Sequence, residues 1–279
     1  MPKLNRLYRI ADRWFLEQGD VWSAPSVESV AALMLGKISP AAFTKARHKP
    51  ARKPSADAFD APVLGQEVWA AGVTYRRSAS AWVADSQTSA SIYDRIYGAK
   101  RLQTFFKAAP GMAVGHGGYI GIRGDATQTH PEAELAVVAS PNGRVVGYTL
   151  GDDVSARDIE AANPLYQPQS KVFNGSAALG PALVLAGSGV DPLAWTVRLS
   201  MERGGKTYFA GSCSFGQLGR GIDEILKTHF AFHDLPNGIV VMTGTGIVVP
   251  DDKMLAPDDK VRIACDAVGE LVSTAKLLR

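Results

Sequence analysis

Cysteine, long apolar runs and charge imbalance are all scarce in this 279-residue chain, and each shortage removes a class of function. Cys213 and Cys265 are the only cysteines, so neither a disulfide framework nor a cysteine-rich zinc pattern is available. Thirty Lys and Arg against 27 Asp and Glu leave a net charge of +3, too small to argue for nucleic acid. Arg6, Arg9, Asp12 and Arg13 interrupt the amino terminus before a signal-peptide core can form. No apolar run reaches the roughly 20 residues of a membrane helix, and a cytoplasmic location is the expectation. Residues 216–221 lack the spacing of a dinucleotide fingerprint, and no phosphate-cradling loop is present. What remains is an ordinary globular composition, 46% hydrophobic and 20% charged, in a chain long enough for one principal domain and a smaller one.

Against that plain background one stretch stands out. Glu132 and Glu134 are followed by Asn142-Gly143 and then by Asp153. Strict alternation over residues 132–138 places Glu132, Glu134, Ala136 and Val138 on one strand face and Ala133, Leu135 and Val137 on the other. Asn-Gly between apolar runs signals a tight hairpin, because both central residues of the favoured turn need φ > 0. A two-residue turn at Asn142-Gly143 sets Glu132 directly across from Asp153, with Cβ atoms about 4.5–5.5 Å apart. Glu134 joins that face and Asp152 points away. Carboxylates this close repel by about 3–4 kcal/mol per pair at an effective dielectric near 20. A proton or a divalent cation relieves this, and hard oxygen ligands favour magnesium, calcium or manganese. A solvated edge hairpin is the bland alternative; the register favours a metal site.

Residues 1–62 read as a small amino-terminal domain with a short helix near 27–35 and an exposed, proline-interrupted linker over 48–62. From 63 to 279 the pattern is mainly short β-type runs, at 68–73, 119–122, 135–139, 145–150, 182–185, 195–201, 239–242 and 260–264. A helix is predicted at 218–232, where Ile222, Ile225, Leu226 and Phe230 recur at helical spacing, and a second at 90–106. Many strands with few helices argue for a β-rich α+β fold of packed sheets.

Gly72-Val73-Thr74-Tyr75, Phe106-Lys107, Glu132-x-Glu134, the run Asp153-Val154-Ser155-Ala156-Arg157-Asp158, Lys171-Val172-Phe173 and Thr243-Gly244-Thr245-Gly246 occur in this order. Together they resemble the fumarylacetoacetate hydrolase family from about residue 67 onward. The resemblance implies a mixed β-sandwich roll and a Mg2+-type cation, with Ca2+ or Mn2+ as alternatives, held by Glu132, Glu134 and Asp153. It also implies a 2-oxo acid or β-dicarbonyl substrate and a homodimer or homotetramer. The run Pro164-Leu165-Tyr166-x-Pro168-Gln169-Ser170-Lys171 is similar to the 2-keto-3-deoxy-pentonate dehydratase branch. Ser78 stands where the hydrolases of the family carry a catalytic histidine, which weighs against hydrolytic C–C cleavage.

The chemistry implied is dehydration of a 2-keto-3-deoxy acid to 2,5-dioxopentanoate through a chelated enolate, with Lys171 as base or proton donor. A C–C hydrolase or decarboxylase acting on a 2,4-dioxo acid or oxaloacetate-like substrate is the competing reading, and a metal-stabilised binding protein is a third. A lysine in a closed pocket beside a cation is expected to have its pKa lowered toward neutrality; simple ion pairing with the acids would keep it protonated. Thr245, Lys107 and Tyr75 are the substrate-binding candidates. Arg157 and Asp158 read as a structural pair supporting the Asp153 loop, and residues 76–97 as a lid. His229 and His233, four apart on the predicted helix, lack the glutamate of a zinc-protease motif and read as packing.

Overall fold

Short strands with both faces apolar need cover on both sides, and the chain provides it by stacking sheets and helices. A computed structural model describes residues 4–55, 57–75 and 99–279. The amino-terminal third supplies β1 (Asn5–Ile10), β2 (Arg13–Gln18), β3 (Val21–Ala24), β4 (Lys49–Ala51), β5 (Glu67–Gly72) and β6 (Gln103–Ala108). The middle gives β7 (Tyr119–Ile122), β8 (Thr129–His130), β9 (Ala133–Ala139), β10 (Val145–Asp153), β11 (Ser155–Ala156) and β12 (Ala177–Leu185). The remainder forms β13 (Thr196–Arg203), β14 (Lys206–Ser214), β15 (Ile239–Thr245), β16 (Lys260–Cys265) and β17 (Gly269–Leu277). Among the described residues, ten of these strands make one mixed sheet, ordered β4-β3-β2-β1-β12-β10-β9-β15-β5-β6. Five make a second, β14-β13-β16-β17-β7, and β8 pairs with β11. The β-rich α+β sandwich expected from the strand pattern is the observed architecture.

Alternation on β9 assigns each side chain its layer. Leu135 enters a core shared with Leu199, Ile263 and Leu271 of the smaller sheet. Ala136 and Val138 face the opposite way, toward Leu7, Leu183 and Val240. The amino-terminal helices α1 (Val27–Met34) and α2 (Pro40–Lys45) cover that side with Val30, Leu33, Met34 and Phe43. Each is capped by a serine: Ser26 Oγ accepts from Ser29 N at 3.2 Å, and Ser39 Oγ from Ala42 N at 3.1 Å. The sheet runs without a break across residue 62, since β1 is hydrogen-bonded to β12, and the amino-terminal side chains share a core with the rest.

Two local expectations change. Within the predicted linker, Lys49–Ala51 forms the edge strand β4, where Pro50 is tolerated because an edge N–H has no ladder partner to lose. The end of the helix predicted at 90–106 is instead strand β6, with Phe106 opposite Trp69 and Phe105 opposite Ala70. Cross-strand aromatic packing outweighs the helical spacing there; residues 76–98 lie outside the described ones. The helix predicted at 218–232 is present as Ile222–Phe230. No described helix is long and apolar enough to cross a membrane.

Candidate active site

The β9–β10 hairpin reaches the expected register by an unexpected route. Ser140 N donates to Arg144 O at 2.9 Å, and Gly143, at φ +76°, donates to Ser140 O at 2.8 Å. The connection is therefore a three-residue loop, Pro141-Asn142-Gly143, and Val145 opposes Ala139. Val146 then bulges, so that Gly147 opposes Val138 and Gly151 opposes Glu134. A loop one residue longer shifts the pairing, and a bulge of one residue shifts it back. Asp153 N consequently donates to Glu132 O at 3.0 Å.

That register gathers the acids. One oxygen from each of Glu132, Glu134 and Asp153 lies within 4.8 Å of the others, and all three residues are buried. Asp152 points elsewhere, accepting from Glu132 N at 3.0 Å, and burial pushes its carboxyl up to about 8. The Glu134 carboxylate accepts from Gly244 N at 2.6 Å. Burial first, then the charges of Asp153 and Glu132, push its pKa well above the ordinary carboxylate range. Burial also acts to raise Glu132, but Lys171 and Arg157 overcome it and hold that carboxyl low. Three hard oxygen donors crowded in a buried pocket fit a magnesium-, calcium- or manganese-type ion.

Gly244 matters to this geometry. It sits at φ +93°, and a Cβ there would fall 2.0 Å from Thr74 Oγ1 and 3.0 Å from Ala71 O. Gly244→Ala is expected to cost about 1–3 kcal/mol through backbone strain, and to displace the N–H that holds Glu134. Chemical denaturation with and without magnesium reads both effects. Unchanged stability together with an unchanged cation response would show that the turn accommodates a side chain.

Lys171 closes the opposite side of the cluster. It ends the short helix α4 (Gln167–Lys171), which follows α3 (Arg157–Ala162). Its ammonium donates to Ser155 Oγ at 2.6 Å and Glu132 Oε2 at 3.1 Å, and reaches Asp153 Oδ2 at 3.4 Å and Glu160 Oε2 at 3.8 Å. Burial alone would depress it, but Asp153, Glu132 and Glu160 hold it well above the usual lysine range. The lowering anticipated for a base is therefore absent when the acids have no other counter-charge. Here Lys171 is their counter-ion.

Lys107 differs from its expected role in substrate contact. Fully buried, its ammonium donates to Val154 O at 2.8 Å and Lys171 O at 2.7 Å and pairs with Asp153 Oδ1 at 2.5 Å. Three partners occupy its three N–H groups, so it anchors Asp153 and the Lys171 backbone instead of a ligand. Tyr75 is likewise placed in the core with Cys213 and Ile247, 2% exposed, and is not among the residues lining the pocket. Thr245 does line it, its hydroxyl accepting from Ile247 N at 3.2 Å. Arg157, buried, reaches Glu132 Oε1 at 3.5 Å and donates to Val249 O at 2.6 Å, while Asp158 accepts from Thr127 N at 2.7 Å. Arg157 thus bears on Glu132, and Asp158 on the segment before β8, while Asp153 itself ends strand β10. His229 and His233 bring Nδ1 within 2.9 Å of the Ile225 and His229 carbonyls and pack on Trp69, which is the packing role expected. Ser78 and the 76–97 segment fall outside the described residues.

Sequence reasoning passed over Glu160, Gln103 and Phe105, which complete the pocket beside the acids, Lys171 and Thr245. Glu160 follows Arg157 by one helical turn, but it is the docking of α3 beside α4 that brings it to the pocket.

The chain is similar to known proteins. Residues 67–276 match the family described as fumarylacetoacetate (FAA) hydrolase C-terminal. A 2-dehydro-3-deoxy-D-arabinonate dehydratase of Saccharolobus solfataricus is 38% identical over 221 residues, 78% of this chain and 74% of the relative. A probable 2-keto-3-deoxyxylonate dehydratase of Haloferax volcanii is 37% identical over 210 residues, 75% of this chain and 72% of the relative. Among solved structures, a 2-keto-3-deoxy-D-arabinonate dehydratase complexed with magnesium and 2,5-dioxopentanoate superposes with a TM-score of 0.82 at 31% identity, covering 99% of each chain.

Proposed function

The chain belongs to the fumarylacetoacetate hydrolase family, and on that premise we propose that it dehydrates a 2-keto-3-deoxy pentonate to 2,5-dioxopentanoate. Magnesium is the cation expected in the Glu132, Glu134 and Asp153 cluster. The observation that carries the reading is the three buried acids facing one pocket with the Lys171 ammonium 3.1 Å from Glu132. The names of the two dehydratase relatives and the product bound in the magnesium complex support the same substrate class.

When bound, the cation supplies Lewis-acid polarisation of the 2-oxo acid group, which acidifies the protons on C3. The protein does the rest. Lys171 is the group placed to take the C3 proton; with Glu132 and Asp153 engaged as cation ligands, their hold on its ammonium would weaken and the amine would become available. Ser155 Oγ, 2.6 Å from Nζ, fixes where that amine points. Lys107 keeps Asp153 in place from behind. Thr245 and the Gly244 turn border the space left for the substrate carboxylate. Loss of the C4 hydroxyl as water and tautomerisation of the enol then give the dicarbonyl product. A homodimer or homotetramer is the assembly we expect from the family.

Incubation of purified protein and magnesium with 2-keto-3-deoxy pentonates and hexonates, 2,4-dioxo acids and oxaloacetate tests the reading. Formation of 2,5-dioxopentanoate from a pentonate is the expected result. Carbon dioxide or carboxylate fragments from the other substrates, with the pentonates untouched, would replace it with the decarboxylase or hydrolase reading.

A further inference from the structure

Glu160 is a carboxyl in the pocket that the cation cluster does not use. It lies on α3, where one helical turn sends Arg157 toward Glu132 and Glu160 toward Lys171. Its side chain is 14% exposed and borders the pocket. Among the described residues its polar partner is Lys171 alone, at 3.8 Å, too far for a hydrogen bond. The neighbouring acids are all held more closely. Glu134 has the Gly244 N–H at 2.6 Å, Glu132 has Lys171 at 3.1 Å, and Asp153 has Lys107 at 2.5 Å. A carboxyl largely withdrawn from water, with no protein hydrogen bond to compensate, is costly to the fold. One aimed into a ligand pocket, beside the group assigned to take a proton, has a chemical use for that freedom.

The geometry points to Glu160 as the acid that protonates the departing C4 hydroxyl, an assignment that rests on the dehydratase reading above. Lys171 removes the proton from C3, and the C3–H electron pair moves into the carbon skeleton. The C4–O bond breaks with its electron pair, and that oxygen takes the proton from the Glu160 carboxyl to leave as water. Lys171 ends with one proton more and Glu160 with one fewer. Relay of the proton from Lys171 to Glu160 through a water, such as the one just released, spans their 3.8 Å separation and restores both, so the cycle closes without an outside reagent. Hydroxide is a poor leaving group, and general acid catalysis by a positioned side chain contributes about 10²–10⁴-fold. The alternative is that Glu160 only steadies Lys171. It is the most distant of that lysine's four partners, behind Ser155 at 2.6 Å, Glu132 at 3.1 Å and Asp153 at 3.4 Å, and is the least suited of them to that task.

Two reactions of the same protein separate these roles. One is dehydration of a 2-keto-3-deoxy pentonate. The other is magnesium-dependent exchange of the C3 protons of 2-oxopentanoate with heavy water, followed by NMR; that compound has acidic C3 protons and no C4 hydroxyl. Glu160→Gln keeps the shape and removes the proton. We expect dehydration to fall by about 10²–10⁴-fold while exchange persists at close to its original rate, and Glu160→Asp to recover part of the dehydration. Equal loss of both reactions overturns the assignment and makes Glu160 a positioning residue for Lys171. Undiminished dehydration overturns it as well. If the unmodified protein exchanges 2-oxopentanoate but leaves every pentonate unchanged, the dehydratase reading fails first and takes the assignment with it. Magnesium-induced stabilisation of each variant, equal to that of the unmodified protein, confirms that the site is folded in the comparison.

Discussion

Glu134→Gln is expected to abolish the stabilisation that magnesium confers while leaving the cation-free protein as stable as before, or more so. The two halves of this result have one cause. Glu134 accepts a hydrogen bond from Gly244 N, which a glutamine carbonyl also accepts, and its position is otherwise dominated by burial and by repulsion from Asp153 and Glu132. A neutral amide removes that repulsion at little cost to shape. The same change removes one of three anionic ligands. Loss of outer partners of a metal site already costs about 10–100-fold in affinity, so loss of a ligand is expected to cost on the order of 100-fold or more. A cation at one hundred times its dissociation constant stabilises the fold by about 2.7 kcal/mol, and most of that would vanish. Thermal unfolding with and without magnesium reads both halves. A variant whose magnesium shift is undiminished would show that these acids do not form the cation site. A variant destabilised without magnesium would show that Glu134 is held by attraction.

Lys171→Met separates chemistry from binding in the opposite direction. Methionine fills much of the lysine volume but leaves Glu132, Asp153 and Glu160 facing each other with one buried positive charge fewer. Breaking a buried pair from one side costs about 3–5 kcal/mol, so the cation-free variant should be clearly destabilised. Magnesium should restore much of that, because the cation replaces the missing counter-charge, and its affinity should hold or rise once a competing ammonium is gone. Turnover should fall by about 10²–10⁴-fold even with the cation saturating. Calorimetric magnesium titration beside a dehydration assay tests both. Magnesium binding lost in step with turnover would reduce Lys171 to a support for the ligand carboxylates.

The site was partly legible because some of its rules are local and strict. Alternation along β9 put Glu132 and Glu134 on one face, and antiparallel pairing put Asp153 beside them. The connection has three residues where a two-residue turn is expected, and the bulge at Val146 offsets the difference. Val146 is a buried apolar residue like its neighbours, so nothing in the sequence marks it as the extra one. Lys107 was illegible for a different reason. Two of its partners are backbone carbonyls 47 and 64 residues away, and no spacing rule reaches that far. A lysine beside two phenylalanines looks like a strand end until those carbonyls arrive. Tyr75 is another residue whose surroundings a motif leaves open: the motif fixes its identity, and the fold sets its ring in the core. Glu160 needed the docking of α3 against α4, a tertiary event. The strands themselves were readable from β-type runs, whereas the segment at Gln103–Ala108 shows pairing with β5 overriding a helical spacing.

The continuity of the large sheet through β1 and β12 constrains any attempt to shorten this protein. The family resemblance begins at residue 67, and a chain begun there would strip β1 from β12. It would expose the pairing edge along Ala182, Leu183 and Val184 and uncover apolar side chains that α1 and α2 now shield. An uncovered apolar pairing edge recruits other copies of itself, so the shortened catalytic portion is expected to aggregate even with every residue of its pocket intact. The first 66 residues thus cover a pairing edge and an apolar face that the rest of the chain does not close by itself.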